Sequence, residues 1–127
     1  SSYIVVAPPP TQNPEISDTL QPLLELLDSE WRDWAIKPRR SKTIETLEKY
    51  QHALRLLGQF ARENNWKAAY QTMRTYDINA AGIKSCFRGN IEKQQQALRL
   101  YKRGMLAVIE GLRVGHEGIE NEEERED

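Results

Sequence analysis

The stretch TIETLEKYQHALRLLGQF, residues 43–60, determines the fold class, because its apolar side chains recur at intervals of three and four residues. That interval places them on one face of an α-helix about five turns long. The face consists of Ile44, Leu47, Tyr50, Leu54, Leu57 and Phe60. Ser41 or Thr43 is a suitable cap for its start, and Asn64-Asn65 marks its end. The stretch therefore predicts an amphipathic helix with one buried side.

A first helix is predicted before it, from about Leu20 to Ile36. Asp18 or Thr19 can cap this helix, and Pro22 then falls in its first turn, where a missing N–H costs little. The sequence KPRR at 37–40 ends it, because the residue before a proline disfavours the helical conformation. The expected buried face consists of Leu20, Leu23, Leu24, Leu27, Trp31 and Trp34.

A third, shorter helix is predicted after Asn65, with Trp66, Ala69, Tyr70 and Met73 on one side. The tryptophans share helical spacings with other apolar residues, which favours a place in the core over a platform for stacking bases. Asp77, Asn79 and Gly82 then mark a turn. The segment AGIKSCF at 81–87 fits either a short helix or a loop.

A long fourth helix is predicted from Asn90, its cap, to about Val114, where glycines at 115 and 118 stop it. Gly104 and Gly111 lie inside this helix. Each weakens it by up to about 1 kcal/mol relative to Ala, and each allows close packing against a neighbour. The expected buried face consists of Ile91, Leu98, Tyr101, Met105, Val108 and Leu112.

The helix pattern predicts an all-α domain: a compact bundle of four main helices, arranged as two helical hairpins, with flexible acidic ends. The helical domain is expected to span residues 17–115. Residues 1–16 contain three consecutive prolines and are expected to form an extended arm. Residues 116–127, which include ENEEERED, are expected to form an acidic tail or linker.

The net charge of −1 conceals a segregation of charge along the chain. Residues 1–30 contain five acids and no Lys or Arg, and residues 115–127 carry a net charge of −6. Residues 31–114 carry a net charge of +10. A strongly basic module therefore lies between two acidic ends, which points to an anionic partner.

The basic residues gather on the predicted polar faces of the second and fourth helices and in the loop before the second. Lysine and arginine contact DNA phosphates and release counterions, and glutamine and arginine can read base edges in the major groove. His52 and Gln96 are the candidates for base contact. The alternative to DNA binding is that these residues simply form a solvated helix face without a binding role. The candidate DNA-binding residues are Arg39, Arg40, Lys42, Lys49, His52, Arg55, Lys93, Gln96, Arg99, Lys102 and Arg103.

The sequence gives little support for catalysis, metal binding, phosphate binding by a glycine-rich loop or insertion into a membrane. The single cysteine, Cys86, excludes an internal disulfide and a zinc pattern, and it fits a cytoplasmic, reducing location. Cys86 has no nearby histidine to activate it, so a small buried or semi-buried residue is expected rather than a nucleophile. There is no glycine-rich phosphate loop and no apolar run long enough to span a membrane. We expect no cofactor, no metal, no catalytic residue and no membrane partner.

Two segments resemble the core-binding domain of tyrosine recombinases, the family of phage integrases. ELLDSEWRDW followed by SKTIETLEKYQHALRLLGQFARENN matches the family's aromatic-ending first helix, basic loop and second-helix pattern. NIEKQQQALRLYKRGMLAVIEGLRVG looks like the last helix of that domain, and the resemblance covers roughly residues 23–115. The pattern positions of the second helix are Thr46, Tyr50, Leu54, Leu57 and Phe60.

The resemblance implies a four-helix domain that forms one half of a clamp around duplex DNA, with its second and fourth helices facing the major groove. The catalytic residues of that family lie in a separate C-terminal domain, so this fragment would not itself be an enzyme. The leading hypothesis is thus a DNA-binding module of an integrase-like recombinase, acting in DNA integration and recombination. Self-association on DNA through the parent protein stays open. The alternatives are a helical interaction or scaffold subunit with a basic face for an acidic partner, and a small RNA-binding subunit.

Overall fold

The structure, a computed structural model, describes the backbone of residues 14–36 and 41–126 and the side chains of residues 18–36 and 41–115. This part of the chain contains five helices and no strand, which confirms the all-α class. The helices are α1 (Pro14–Ala35), α2 (Lys42–Arg62), α3 (Trp66–Thr75), α4 (Ala80–Cys86) and α5 (Ile91–Glu126).

Polar side chains define where four of the helices begin. Ser41 Oγ accepts a hydrogen bond from the Ile44 N–H at 3.4 Å, which confirms Ser41 as the cap of α2. Asparagine side chains do the same for α3, α4 and α5, with donor–acceptor distances of 2.8 to 3.2 Å. These caps are Asn65, Asn79 and Asn90, and they satisfy N–H groups that have no partner within the helix.

The predicted start of α1 is wrong by more than one turn, because the helix begins at Pro14 instead of near Leu20. A proline at the first helical position has its backbone angle already set and loses no hydrogen bond. Thr19, considered above as a cap, is instead fully buried inside the helix. Pro22 is likewise an interior residue, where its missing N–H leaves a gap in the hydrogen-bond ladder.

The predicted end of α5 is also wrong, because the helix runs through Gly115 and Gly118 to Glu126. A single glycine costs a helix only about 1 kcal/mol, and glutamate, which dominates the segment after Gly118, is a good helix former. The buried face of α5 differs too, since Ile91 is 69% exposed. Small residues supply much of the actual contact line: Ala97, Gly104, Ala107 and Gly111.

The segment 76–90, left open by the sequence, holds the short helix α4 between two turns. Asp77 and Gly89 adopt positive φ angles of 47° and 82° in these turns. Tyr50 Oη donates to the Asp77 carbonyl at 3.2 Å and accepts from the Asn79 N–H at 3.3 Å. Tyr101 Oη donates to the neighbouring Ile78 carbonyl at 3.2 Å. Two tyrosines from α2 and α5 therefore fix the turn that leads into α4.

The helices close around one core. α1 packs against both α2 and α5, and α3 and α4 also pack against both of them. α2 and α5 are thus linked through shared neighbours, with α1 on one side and α3 and α4 on the other. The largest fully buried side chains come from α1, α2, α4 and α5 and from the residue that directly follows α4: Leu23, Leu27, Leu47, Leu57, Ile83, Phe87 and Val108.

Replacing Leu54 should be costly, because this α2 side chain is 2% exposed within the core. We expect Leu54→Ala to lower the free energy of unfolding by about 2–5 kcal/mol, the usual cost of a large-to-small change in a packed interior. Urea unfolding followed by circular dichroism measures the change. Leu106→Ala is the matched control, since Leu106 is 65% exposed and should change stability by only about 0.5 kcal/mol. Equal effects of the two would contradict the observed phase of the helices.

Two glycines of α5 should respond to alanine with opposite signs. A Cβ at Gly111 would lie 2.3 Å from the Trp66 ring, whereas a Cβ at Gly115 would lie 3.7 Å from it. Gly111→Ala should therefore destabilise the fold by about 1–3 kcal/mol through overpacking. Gly115→Ala should stabilise it by up to about 1 kcal/mol, because alanine is the better helix former. Thermal unfolding of both variants tests this, and a stabilising Gly111→Ala would show that the α3–α5 approach is loose.

Candidate nucleic-acid interface

The outward side of α5 carries a cluster of cations, the α5 basic face, which we define as Arg99, Lys102 and Arg103. All three side chains are exposed. No acid occurs from residue 93 to residue 109. Among the described side chains, none pairs an acid with any of these three cations. A shallow depression of about 320 Å³ lies between them, lined also by Leu100 and Gln96. The cluster can therefore meet an anion without first breaking an ion pair.

Lys93, also predicted to bind DNA, is engaged inside the protein. Its Nζ lies 3.3 Å from Glu30 Oε2, and the side chain of Lys93 is only about one-third exposed. Glu30 is buried and accepts a second hydrogen bond from Trp34 Nε1 at 3.2 Å. The pair ties the start of α5 to α1, and removing one partner would leave the other charge poorly compensated. Lys93 thus has a structural use that its place in a basic run does not reveal.

The cations of α2 are exposed, but they make more contacts with other side chains than the α5 basic face does. Arg55 Nη2 donates to Asp28 Oδ1 of α1 at 3.0 Å, and Gln51 Nε2 donates to the same oxygen at 2.7 Å. The His52 ring packs edge-on against Tyr76, with centroids 5.5 Å apart. Lys49 Nζ lies 5.9 Å from the centre of the Tyr50 ring.

Acids are interleaved with these cations along α2. Glu45 and Glu63 are exposed on the side that also presents Lys42 and His52. Counting the basic residues of this helix overstated its positive charge, because the glutamates share its solvent side. Of the two predicted DNA-facing sets, only the α5 basic face is free of interleaved acids. Arg39 and Arg40 lie outside the described residues.

A cleft of about 520 Å³ lies between α1 and α2. Its lining mixes charges: Asp28, Trp31, Arg32, Glu48, Gln51, His52 and Arg55. The Trp31 indole N–H is covered and finds no acceptor among the described residues, so it offers no donor to the cleft. The mixed lining gives the cleft no preference for an anion or a cation. Sequence reasoning missed the Asp28 contact that shapes it, because nothing local signals a partner 27 residues away.

Cys86 is fully buried, as the sequence predicted. Burial, together with the weaker effect of the negative charge of Glu30, raises the pKa of its thiol from 9.0 to about 12. The buried thiol therefore keeps its proton at neutral pH. No group of three or more His, Cys, Asp and Glu in the described part of the chain could hold a metal ion. None of its helices is both long and apolar enough to cross a membrane.

Neither the protein-family models, nor the curated proteins, nor the solved structures include a match to this chain. The likeness to tyrosine recombinases accordingly rests on the residues quoted above. The main indications of function are therefore the charge and the geometry of the α5 basic face.

The buried thiol should make the fold sensitive to alkali. The unfolded chain releases the Cys86 proton near its ordinary pKa of 9.0, while the folded chain keeps it until about pH 12. The stability present below pH 9 should therefore fall as pH rises through this window. Urea unfolding at several pH values measures the loss. Cys86→Ala should reduce the loss without abolishing it, because burial also raises the pKa of Tyr50 and Tyr101. Identical pH dependence in the variant would contradict the thiol's contribution.

Proposed function

We propose that this chain is a double-stranded-DNA-binding module whose primary contact surface is the α5 basic face. The parent protein would be an integrase-like recombinase, and this module would correspond to its core-binding domain. The observation that carries the proposal is that Arg99, Lys102 and Arg103 are exposed, adjacent and unpaired within the described side chains. The module would grip DNA while chemistry takes place elsewhere in the parent protein.

The spacing of the three cations suits a phosphate backbone. Residues three and four apart lie on one side of a helix, so Arg99 falls beside both Lys102 and Arg103. An α-helix fits into the major groove, where its cations reach phosphates at the groove edges. Gln96 is exposed one turn before the α5 basic face, where it could contact a base edge.

In this proposal α2 contributes less than α5. Arg55 must leave Asp28 before it can reach a phosphate, and the exposed Glu45 of α2 and Glu63, which follows the helix, would repel DNA. The Arg55 side chain is 55% exposed, so the ion pair is only a modest barrier. The cations of α2 would therefore add less to the affinity for DNA than those of α5.

An acidic protein is the second candidate partner. Leu106 and Ile109 are 65% and 47% exposed directly after the α5 basic face. Contact with polar DNA phosphates would not remove these two apolar side chains from water. A helix that presents cations next to exposed apolar residues also suits an amphipathic acidic helix.

DNA binding should depend steeply on salt. Three phosphate contacts predict a log–log slope of affinity against salt near −2.7, since each contact contributes about −0.9. The affinity should lie in the non-specific range, with dissociation constants of about 10⁻⁴ to 10⁻⁶ M at physiological salt. Fluorescence anisotropy of a labelled duplex, titrated with the full chain at several salt concentrations, measures both quantities. Each alanine substitution within the α5 basic face should reduce the slope by about 0.9.

Arg74→Ala is the matched control, because Arg74 is also an exposed arginine, on α3, and its loss should leave the slope unchanged. Asp28→Asn frees Arg55 and should tighten binding slightly. Absence of binding at low salt, or a uniform response to all the arginine substitutions including Arg74→Ala, would refute the proposal. Binding of an acidic helical peptide in place of DNA would favour the second candidate.

A further inference from the structure

Leu106 is an exposed leucine that closely follows the cations of the α5 basic face. Its side chain is 65% exposed. Each residue turns an α-helix by about 100°, so Leu106 lies about 160° around the axis from Gly104 and from Val108. Both of those residues are buried against the core. Leu106 is therefore on the opposite side of α5 from the core, and packing within the chain does not explain a leucine at this position.

The same helical geometry places Leu106 between the cations rather than beside them. Around the helix axis, Lys102 lies about 40° to one side of Leu106 and Arg103 about 60° to the other. Arg99 lies only about 20° from Leu106, two turns earlier. Ile109, the next exposed apolar residue, lies about 60° from Leu106, on the side of Lys102. We define the crest of α5 as the line through Arg99 and Leu106, which is farthest from the core and is flanked by the other two cations.

Two exposed glutamates limit this surface along the helix. Glu92 and Glu110 each lie within about 40° of Leu106 around the axis, one before and one after the acid-free stretch 93–109. Arg113 donates from Nε to Glu110 Oε2 at 3.1 Å, so the charge of Glu110 is compensated within α5. Leu106 therefore lies inside the part of α5 that an anionic duplex can approach, one turn before that part ends.

The bases of a duplex offer an apolar group where a crest side chain would reach. When a helix lies in the major groove, cations on its flanks contact phosphates at the groove edges, and its crest faces the base edges. Thymine presents an apolar group in that groove, its C5 methyl. Arg99 and Leu106 are about 10.5 Å apart along the axis, the length of about three base pairs, so both can face bases of one site.

We propose that Leu106 contacts the C5 methyl group of a thymine in the major groove and thereby gives DNA binding a sequence preference. The inference rests on the proposed function, because Leu106 reaches a base only where the α5 basic face is bound to a duplex. The cations hold the helix on any sequence, since phosphate contacts carry no sequence information. Leu106 adds affinity where a thymine lies opposite it, whereas uracil or cytosine at that position gives the side chain no methyl group to contact.

Uracil tests the contact, because it pairs with adenine as thymine does and lacks only the C5 methyl group. Fluorescence anisotropy compares the affinity of the full chain for a duplex rich in A·T pairs with its affinity for the same sequence carrying uracil in place of every thymine. The thymine duplex should bind about two- to fourfold more tightly, the gain expected from burying one methyl group. The salt dependence should be the same for both duplexes, because their charges are identical.

Two substitutions assign the preference to a side chain. Leu106→Ala should abolish the preference for thymine and leave the salt dependence unchanged, because it removes no charge. Ile109→Ala is the matched control, since Ile109 is exposed away from the crest and its loss should leave the preference intact. All three proteins bind the same two duplexes, so any effect of the methyl group on the shape of the DNA cancels in the comparison. Circular dichroism confirms that each variant is folded.

The outcomes separate this inference from the proposed function. Equal affinity of the unaltered chain for the two duplexes, at a salt concentration where both bind, would overturn the thymine contact and leave DNA binding in place. A thymine preference that survives in Leu106→Ala, or that disappears in Ile109→Ala, would also overturn it. Absence of binding to either duplex at low salt would instead refute the proposed function, and the contact with it. Binding of an acidic helical peptide in that case would assign Leu106 to a protein partner.

Discussion

The close approach of α5 to its neighbours constrains the rest of the structure. A Cβ at Gly111 would overlap the Trp66 ring of α3, and a Cβ at Gly104 would lie 3.0 Å from Leu20 of α1. α5 therefore meets the core largely through small residues, at positions where the other helices use leucine. This packing sets the rotation of α5 about its own axis. It also explains why Leu106 and Ile109 are left in solvent beside the cations.

Ion pairing decides which of the basic residues can serve an external anion. The sequence shows an excess of positive charge in the middle of the chain, but in the structure some of these cations are paired with acids and others are not. Lys93 is held by Glu30 of α1, and Arg55 is held by Asp28 of the same helix. Two acids of the negatively charged segment 1–30 thus neutralise cations of the basic module. The α5 basic face has no such counterpart in the described part of the chain, which is why the proposed function rests on it.

Local patterns predicted much of the fold and less of the site. The stripe of α2 followed from a period of three and four residues, and the helix starts at Ser41 and Asn90 followed from cap chemistry. The predicted start of α1 and the predicted end of α5 were wrong, because a proline or a glycine was assumed to exclude or to stop a helix. Pro14 starts a helix that was expected to begin later, and Gly115 does not stop one. The Arg55–Asp28 contact could not be foreseen, because it joins two helices across a loop.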